Sequence, residues 1–206
     1  MNVAICAYGA GNIRSVQLAF ERLGASTAIA VDPDIVLEAD LAVLPGVGSA
    51  GSAMAGLRLC GLDAALRARA VAGRPILGIC LGLQLLFEST TELGGAAGLA
   101  LLRGDVGDLD ADGLKVPHIG WSPVRWERDS RLAEGIESET PFYFVHSFVP
   151  APDPPELLGS AAYGARFACA AQRDNVYGVQ FHPEKSSSAG LRLLSNFAGI
   201  CASVPA

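Results

Sequence analysis

Aromatic and charged residues are both scarce in this 206-residue chain: Phe, Trp and Tyr make up 7%, and Asp, Glu, Lys and Arg together 17%. Acidic residues outnumber basic ones 21 to 15, giving a formal net charge of −6. No lysine or arginine cluster forms a stripe that could track phosphates, so nucleic acid is not expected as a partner. Long apolar runs are missing too. Half of the residues are hydrophobic, yet Arg, Asp and Gly break the alanine-rich stretches before they reach the roughly 18 residues of a spanning helix, so no membrane partner is expected. The opening MNVAICAYGAGN has no basic segment before its short apolar run and reads as a first strand, not a signal peptide. The five cysteines, Cys6, Cys60, Cys80, Cys169 and Cys201, are odd in number, widely spaced and without a CxxC pair. That indicates neither a disulfide framework nor a zinc site, and a reducing cytoplasm is the simplest compartment. Most of them read as small buried apolar residues.

What is present suits one domain spanning 1–206 with a sizeable core. In the first half, strand-like and helix-like segments alternate. Val3 to Tyr8, Ser26 to Val31, Leu41 to Pro45 and Pro75 to Cys80 read as buried strands. Ile13, Val16, Phe20 and Leu23 recur at helical spacing before a Gly24 stop, and Ala53 to Ala72 reads as one helix closed by Gly73. Such alternation predicts an α/β fold, a mainly parallel open sheet with helices on both faces. From about Leu99 to Gln180, short β-branched and aromatic segments between glycines and prolines predict a more antiparallel part. A last helix runs from Ser186 to Cys201, with Leu191, Leu194, Ala198 and Cys201 on one face and Ser186 to Ser188 as candidate N-caps.

Chemistry concentrates at a few places. Gly78-Ile79-Cys80-Leu81-Gly82 has the spacing of a nucleophile elbow with cysteine in place of serine. A tight strand-to-helix turn would present the thiol at the carboxyl edge of the sheet, and the Leu81 N–H would sit where an oxyanion develops. The plain alternative is a buried cysteine in a glycine-rich turn. A thiol needs a base, and His182 supplies one, with Glu184 two residues on to orient the imidazole. Alone, His182 reads as a structural histidine at a strand end. With Glu184 and an elbow cysteine about a hundred residues upstream, it reads as part of a Cys-His-Glu triad. Pro45-Gly46-Val47-Gly48 ends the third strand, where ligands bind in open α/β sheets. Its amides could complete an oxyanion hole, although an ordinary βα turn explains the glycines equally well.

Pro45-Gly46-x-Gly48, Gly78-x-Cys80-x-Gly82-x-Gln84 and His182-Pro183-Glu184 together resemble the class I, triad-type glutamine amidotransferases, in order and strand context over essentially the whole chain. YGAGNIRSV (8–16), PHIGWS (117–122), FYFVHSF (142–148) and HPEKSS (182–187) are similar to the glutaminase subunit family of imidazole glycerol phosphate synthase, of histidine biosynthesis. The resemblance implies that Cys80 attacks the side-chain amide of L-glutamine. Leu81 and the Val47–Gly48 stretch would hold the oxyanion, and His182 with Glu184 would protonate the departing ammonia. Gln84 and Glu92 would hold the amino-acid end of the substrate, with His146 and Ser147 nearby. It also implies a heterodimer with a (β/α)8-barrel cyclase subunit that receives ammonia through a channel and makes imidazole glycerol phosphate and aminoimidazole carboxamide ribotide. No cofactor or metal is implied. Asn12, Trp121, Tyr143 and Lys185 are candidates for the partner-facing rim. Their plain alternatives are a helix cap for Asn12, core aromatics for Trp121 and Tyr143, and a solvated Lys185. Two positions depart from the family pattern: Ser122 where asparagine is usual, and Phe148 where tyrosine is frequent. With these departures a hydrogen bond at the subunit interface is expected to be missing or differently made, and His118 reads as structural in the first place, with an interface position as its alternative.

Rival readings stand beside this one. Gly9-x-Gly11 and Asp32 sketch a dinucleotide-binding turn, but Arg14 occupies the place of the third glycine and would crowd the pyrophosphate. A non-catalytic scaffold, an amidotransferase of another pathway and a cysteine hydrolase with a similar elbow are the remaining rivals.

Overall fold

The computed structural model describes residues 1–9 and 11–201, without the side chain of Cys201, so the expectation for that thiol lies outside the described residues. The chain opens with β1 (Asn2–Cys6), α1 (Ile13–Arg22), β2 (Ser26–Ala30), α2 (Pro33–Glu38), β3 (Leu41–Gly46), α3 (Ala50–Leu59), α4 (Leu62–Val71), β4 (Ile76–Cys80) and α5 (Leu81–Leu86). Short strands β5 (Ser89–Thr90), β6 (Ala96–Ala97) and β7 (Gly104–Asp108) follow. Then come β8 (His118–Trp126), β9 (Thr140–His146), β10 (Phe148–Pro152), β11 (Leu157–Tyr163), β12 (Ala165–Arg173) and β13 (Val176–Val179), and the closing helix α6 (Ser187–Cys201).

Nine strands form one sheet in the order β2-β1-β3-β4-β13-β12-β11-β8-β9. From β2 to β13 every pairing is parallel; from β13 to β9 every pairing is antiparallel. The parallel and antiparallel parts anticipated in sequence are thus two halves of one sheet, and a four-stranded sheet, β10-β7-β5-β6, stands beside it. Two apolar clusters cover its faces. One is built on Val3, Ile5, Leu77, Val179, Phe144 and Phe197. The other is built on Ala4, Leu44, Leu57, Leu66, Ile76 and Leu86. Alternate residues of β1, β3 and β4 feed opposite clusters, as a strand buried on both faces requires.

Three local expectations are corrected. Ala53 to Ala72 is not one helix: the chain breaks between α3 and α4 at Gly61, which adopts φ +70, so that the two short helices pack separately. Ser26 to Val31 is not a buried strand; β2 is the sheet edge and only Ala30 among its residues is fully covered. The buried face of α6 is Leu193, Leu194, Phe197 and Ile200, rotated from the Leu191–Ala198 line. Helix α2 was not anticipated from sequence. Asp32 caps it by accepting a hydrogen bond from the Asp34 N–H at 2.9 Å, which commits the carboxylate that the dinucleotide-binding rival relies on.

Register brings three strand ends to one level. Gly46 of β3 pairs with Cys80 of β4. On the other side of β4, Val179 of β13 pairs with Ile79, which sets Gln180 beside Cys80. Among the described residues no helix is long and apolar enough to cross a membrane.

Candidate active site

Cys80 ends β4 and directly precedes α5, with φ 55 and ψ −112. A positive φ in a residue with a side chain costs on the order of 1–3 kcal/mol, and it persists only where the surroundings impose it. Two glycines do so. A Cβ on Gly82 would lie 1.7 Å from the Leu44 carbonyl oxygen, and one on Gly78 would lie 2.7 Å from the backbone of Gly82 and Leu83. Helix and strand approach too closely for any side chain, and the turn between them has nowhere to relax. The elbow read from the spacing is present.

His182 follows β13 at the start of a single 3-10 turn, Pro183–Lys185. Its Nδ1 lies 2.9 Å from Glu184 Oε1, and both side chains are buried. Ser186 holds this turn: its hydroxyl donates to the His182 carbonyl at 2.7 Å and accepts from the Tyr143 N–H at 3.0 Å. That use of Ser186 displaces the N-capping role expected for it. His182 Nε2 and Glu184 Oε2 are buried without a hydrogen-bond partner among the described residues. The His182 pKa is raised to about 9: burial works to lower it, and hydrogen bonding and charge attraction from Cys80 and Glu184 outweigh burial. With Nδ1 spent on Glu184, Nε2 is the open nitrogen of the ring.

A cavity of about 280 Å³ opens over Cys80. Val47, Gly48, Leu81, Gln84, Glu92, His146 and Ser147, all singled out from the sequence, line it with Cys80, and Val145, Phe148 and Pro117 complete the wall. Larger surface hollows exist, such as one near Trp126 and Arg131, but they contain none of the reactive groups. Gly48 has φ +99, and a Cβ there would meet nothing within 4 Å. Tyr8 braces the same segment from below, its phenol donating to the Pro45 carbonyl at 2.5 Å. Glu92 sits at the rim, where its Oε2 accepts from the Ala50 N–H at 2.6 Å, at the head of α3.

A second polar system backs the cavity. His146 Nδ1 lies 3.1 Å from the Phe148 carbonyl, His146 Nε2 lies 3.1 Å from His118 Nδ1, and His118 Nε2 lies 3.0 Å from Ser122 Oγ. A carbonyl only accepts, so His146 carries its proton on Nδ1, His118 carries its own on Nδ1, and Ser122 donates to His118. This polarity holds with both rings neutral. The His146 pKa is lowered to about 4, chiefly by burial, and burial also lowers that of His118. Ser122, at the position where the family pattern differs, is buried and turned inward. His118 does not line the cavity; it stands behind His146, in contact with it and with Ser122.

The candidate rim residues divide. Trp121 is 52% exposed and stands edge-on to Tyr143 with ring centroids 6.0 Å apart, and Lys185 Nζ lies 5.9 Å over the Tyr143 ring. Neither aromatic is a core residue. Asn12 precedes α1 and accepts from the Ser15 hydroxyl at 2.9 Å, with no side-chain bond to the helix N–H groups. The sequence reading missed Gln180, which is fully buried beside Cys80. Strand alternation could have found it, because a residue two before His182 on an extended chain shares its face.

The glutamine amidotransferase class-I family profile matches residues 9–200. The imidazole glycerol phosphate synthase subunit HisH of Moorella thermoacetica is 51% identical over 196 residues, covering 95% of this chain and 93% of the relative. The HisH subunit of Methanothermobacter thermautotrophicus is 46% identical, covering 96% and 98%. Among solved structures, a glutamine amidotransferase from Thermotoga maritima matches with a TM-score of 0.64 at 16% identity, over 98% of this chain and 84% of that one, which is a likeness of fold. The chain belongs to the class-I glutamine amidotransferases, among the HisH subunits of imidazole glycerol phosphate synthase.

Proposed function

We propose that this chain is the glutaminase subunit of imidazole glycerol phosphate synthase and hydrolyses L-glutamine through Cys80, His182 and Glu184. One observation carries the reading: Cys80 lies in the wall of a cavity lined by Gln84, Glu92 and His146, while His182, held through Nδ1 by Glu184, keeps a buried Nε2 without a partner among the described residues.

Glutamine enters with its side-chain amide over Cys80. The Glu92 carboxylate and the Gln84 Oε1 receive its ammonium group, and the His146–Phe148 backbone lies alongside. Cys80 and His182 share one proton; as it settles on His182 Nε2 the sulfur becomes a thiolate, and Sγ bonds the amide carbon. The carbonyl oxygen takes the negative charge between the Leu81 N–H and an amide of the Val47–Gly48 stretch. His182, charged and paired with Glu184, gives its proton to the leaving nitrogen, and the carbon–nitrogen bond breaks to release ammonia. A water molecule, deprotonated by the same imidazole, attacks the glutamyl thioester. Carbon–sulfur cleavage then yields glutamate and restores Cys80. Every step uses side chains, backbone amides and water.

Ammonia released into neutral water becomes ammonium, which is no nucleophile, so the reaction needs a covered exit into the cyclase subunit. Exposed Leu114, Val116, Ile119 and Trp121 run along the approach to β8, next to the Tyr143–Lys185 pair. An apolar strip of that kind supports docking of the barrel partner there. On this reading the chain forms a heterodimer with the cyclase and works in the cytoplasm. The test is glutamine turnover with and without the cyclase and its nucleotide ligand. Turnover raised by the loaded partner supports the reading, and equal turnover refutes the coupling. Cys80→Ala is expected to abolish glutamine hydrolysis while leaving ammonia-dependent synthesis by the complex intact; retained glutaminase activity in that variant overturns the nucleophile assignment.

A further inference from the structure

Gln180 has no place in the triad and lies outside every motif that marks this site, yet it is fully buried against the reacting atom. Its Nε2 lies 3.6 Å from Cys80 Sγ, and its Oε1 lies 3.0 Å from Gln84 Nε2. Gln84 Nε2 also lies 3.1 Å from the Phe148 carbonyl.

These contacts fix their own polarity. The Phe148 carbonyl cannot donate, so the Gln84 atom facing it is the NH2 group. Its second hydrogen then points at Gln180, and the Gln180 atom that meets it must be the carbonyl oxygen. The other end of the Gln180 amide, facing Sγ, is therefore the NH2 group. The sulfur meanwhile points its own hydrogen at the Val145 carbonyl, 3.7 Å away. Sγ is thus acceptor toward Gln180 and donor toward Val145, and His182 Nε2 is without a hydrogen-bond partner among the described residues.

We infer that Gln180 is a further catalytic residue, a standing N–H donor to the Cys80 sulfur whose other end holds the Gln84 amide with its oxygen turned to the substrate. The placement follows from the sheet. Val179, the last residue of β13, pairs with Ile79, so the residue that follows is level with Cys80, and on a chain that stays extended alternation puts Gln180 and His182 on the same side. A donor bonds an anionic sulfur more strongly than a neutral one. The contact therefore strengthens as the thiol proton leaves for His182. It strengthens again when the carbon–sulfur bond of the thioester breaks and sulfur departs with the electron pair. The same side chain spends the Gln84 NH2 group, which leaves only Gln84 Oε1 to meet the ammonium end of glutamine. One buried amide thereby couples the orientation of the substrate pocket to the charge on the nucleophile.

The kinetic consequence rests on the glutaminase reading, and the thiol consequence does not, so both are measured. Gln180→Glu keeps the length and the acceptor for Gln84 but replaces the donor to sulfur with a like charge. Gln180→Met keeps the length and loses both bonds. Carbamidomethylation of Cys80 by iodoacetamide, followed by peptide mass spectrometry at mildly alkaline pH, is expected to slow about 10-fold or more in both variants. For glutamine turnover with the cyclase present, Gln180→Glu is expected to lose about 10-fold or more in kcat with KM within about threefold, and Gln180→Met is expected to raise KM as well. Slowed alkylation without any turnover in the parent protein would sink the glutaminase reading and leave the amide–sulfur contact standing. Alkylation within about twofold of the parent in both variants overturns the inference, because a purely structural amide would leave sulfur chemistry alone. If neither variant folds, the unsubstituted chain decides. Alkylating Cys80 must shift the Gln180 side-chain amide resonances in a 15N-labelled sample, and unmoved resonances overturn the inference.

Discussion

The Tyr8 hydroxyl donates to the Pro45 carbonyl at 2.5 Å, from the turn after β1 to the residue before Gly46-Val47-Gly48. The phenol is buried, and burial raises its pKa, so it remains a neutral donor throughout the useful pH range. Tyr8→Phe leaves a carbonyl without its partner under the loop. The expected cost is about 1–2 kcal/mol of stability in urea denaturation. Because Tyr8 does not itself line the cavity, KM for glutamine should be nearly unchanged. A variant as stable as the parent would show that this bond braces nothing.

The elbow depends on bare backbone contact. Gly82→Ala would drive a methyl group to 1.7 Å from the Leu44 oxygen, an atom of the central sheet that cannot swing away. A loss of roughly 3 kcal/mol or more is expected, large enough to reduce soluble yield. Comparing chemical denaturation of this variant with Gly107→Ala, where nothing lies within 4 Å of the added carbon, separates close packing from the general effect of replacing glycine. A mild loss at Gly82 would contradict the geometry.

The chain has three histidines, and two should titrate in opposite directions away from the ordinary value near 6.5. His182 is expected to stay protonated up to about 9, and His146 to stay neutral down to about 4. For His182, whose folded pKa is raised, the stabilisation is complete below the unfolded pKa and is lost as pH rises through about 9. For His146 the folded pKa is depressed. The neutral fold is favoured above about 6.5, and stability falls as pH drops toward about 4, by up to about 3 kcal/mol in all. Imidazole proton shifts followed by NMR, assigned with single His variants, check both. A pair of midpoints near 6.5 would refute the environments described.

Much of the site was readable because its motifs are local. The elbow needs small residues at fixed offsets from Cys80, and a carboxylate two residues from His182 declares itself. Glu92, His146 and Ser147 were reachable only through family resemblance, since nothing in their spacing says that they converge. The roles of Gln180 and Ser122 escaped because they arise from partners that only the folded sheet supplies: Cys80 for Gln180, through the β4–β13 register, and the buried His118 ring for Ser122, at the foot of the same strand. The broken helix at Gly61 and the exposed β2 escaped for another reason. Both depend on tertiary packing, which decides whether a helix former continues past a glycine and whether an apolar strand lies at the edge of a sheet.

Ser122 offers a direct check on the histidine pair. Ser122→Ala removes the donor to His118 Nε2 and leaves a buried ring nitrogen without a partner, at an expected cost of about 1–3 kcal/mol. His146 keeps its bond to Phe148, so glutamine KM should rise only modestly. Thermal denaturation and steady-state kinetics read the two effects separately. An unchanged melting temperature would mean that the nitrogen is satisfied some other way.

Glu184→Gln tests what the carboxylate contributes beyond orientation. The substituted amide oxygen can still accept from His182 Nδ1 at the 2.9 Å position, so the ring keeps its place, but the negative charge that favours the imidazolium is gone. Two consequences follow from that one loss. The His182 pKa should drop below about 9, because burial, which works against the charged ring, is then opposed by Cys80 alone. Turnover should fall by roughly 10²–10⁴-fold in kcat, since a neutral partner neither stabilises the imidazolium formed when the thiol is deprotonated nor enforces the tautomer that leaves Nε2 to face sulfur. KM should change little, because Glu184 does not line the cavity. The pH profile of kcat/KM separates the two effects: its alkaline limb must move to lower pH in the variant. A profile that merely shrinks without moving would assign Glu184 an orienting role only.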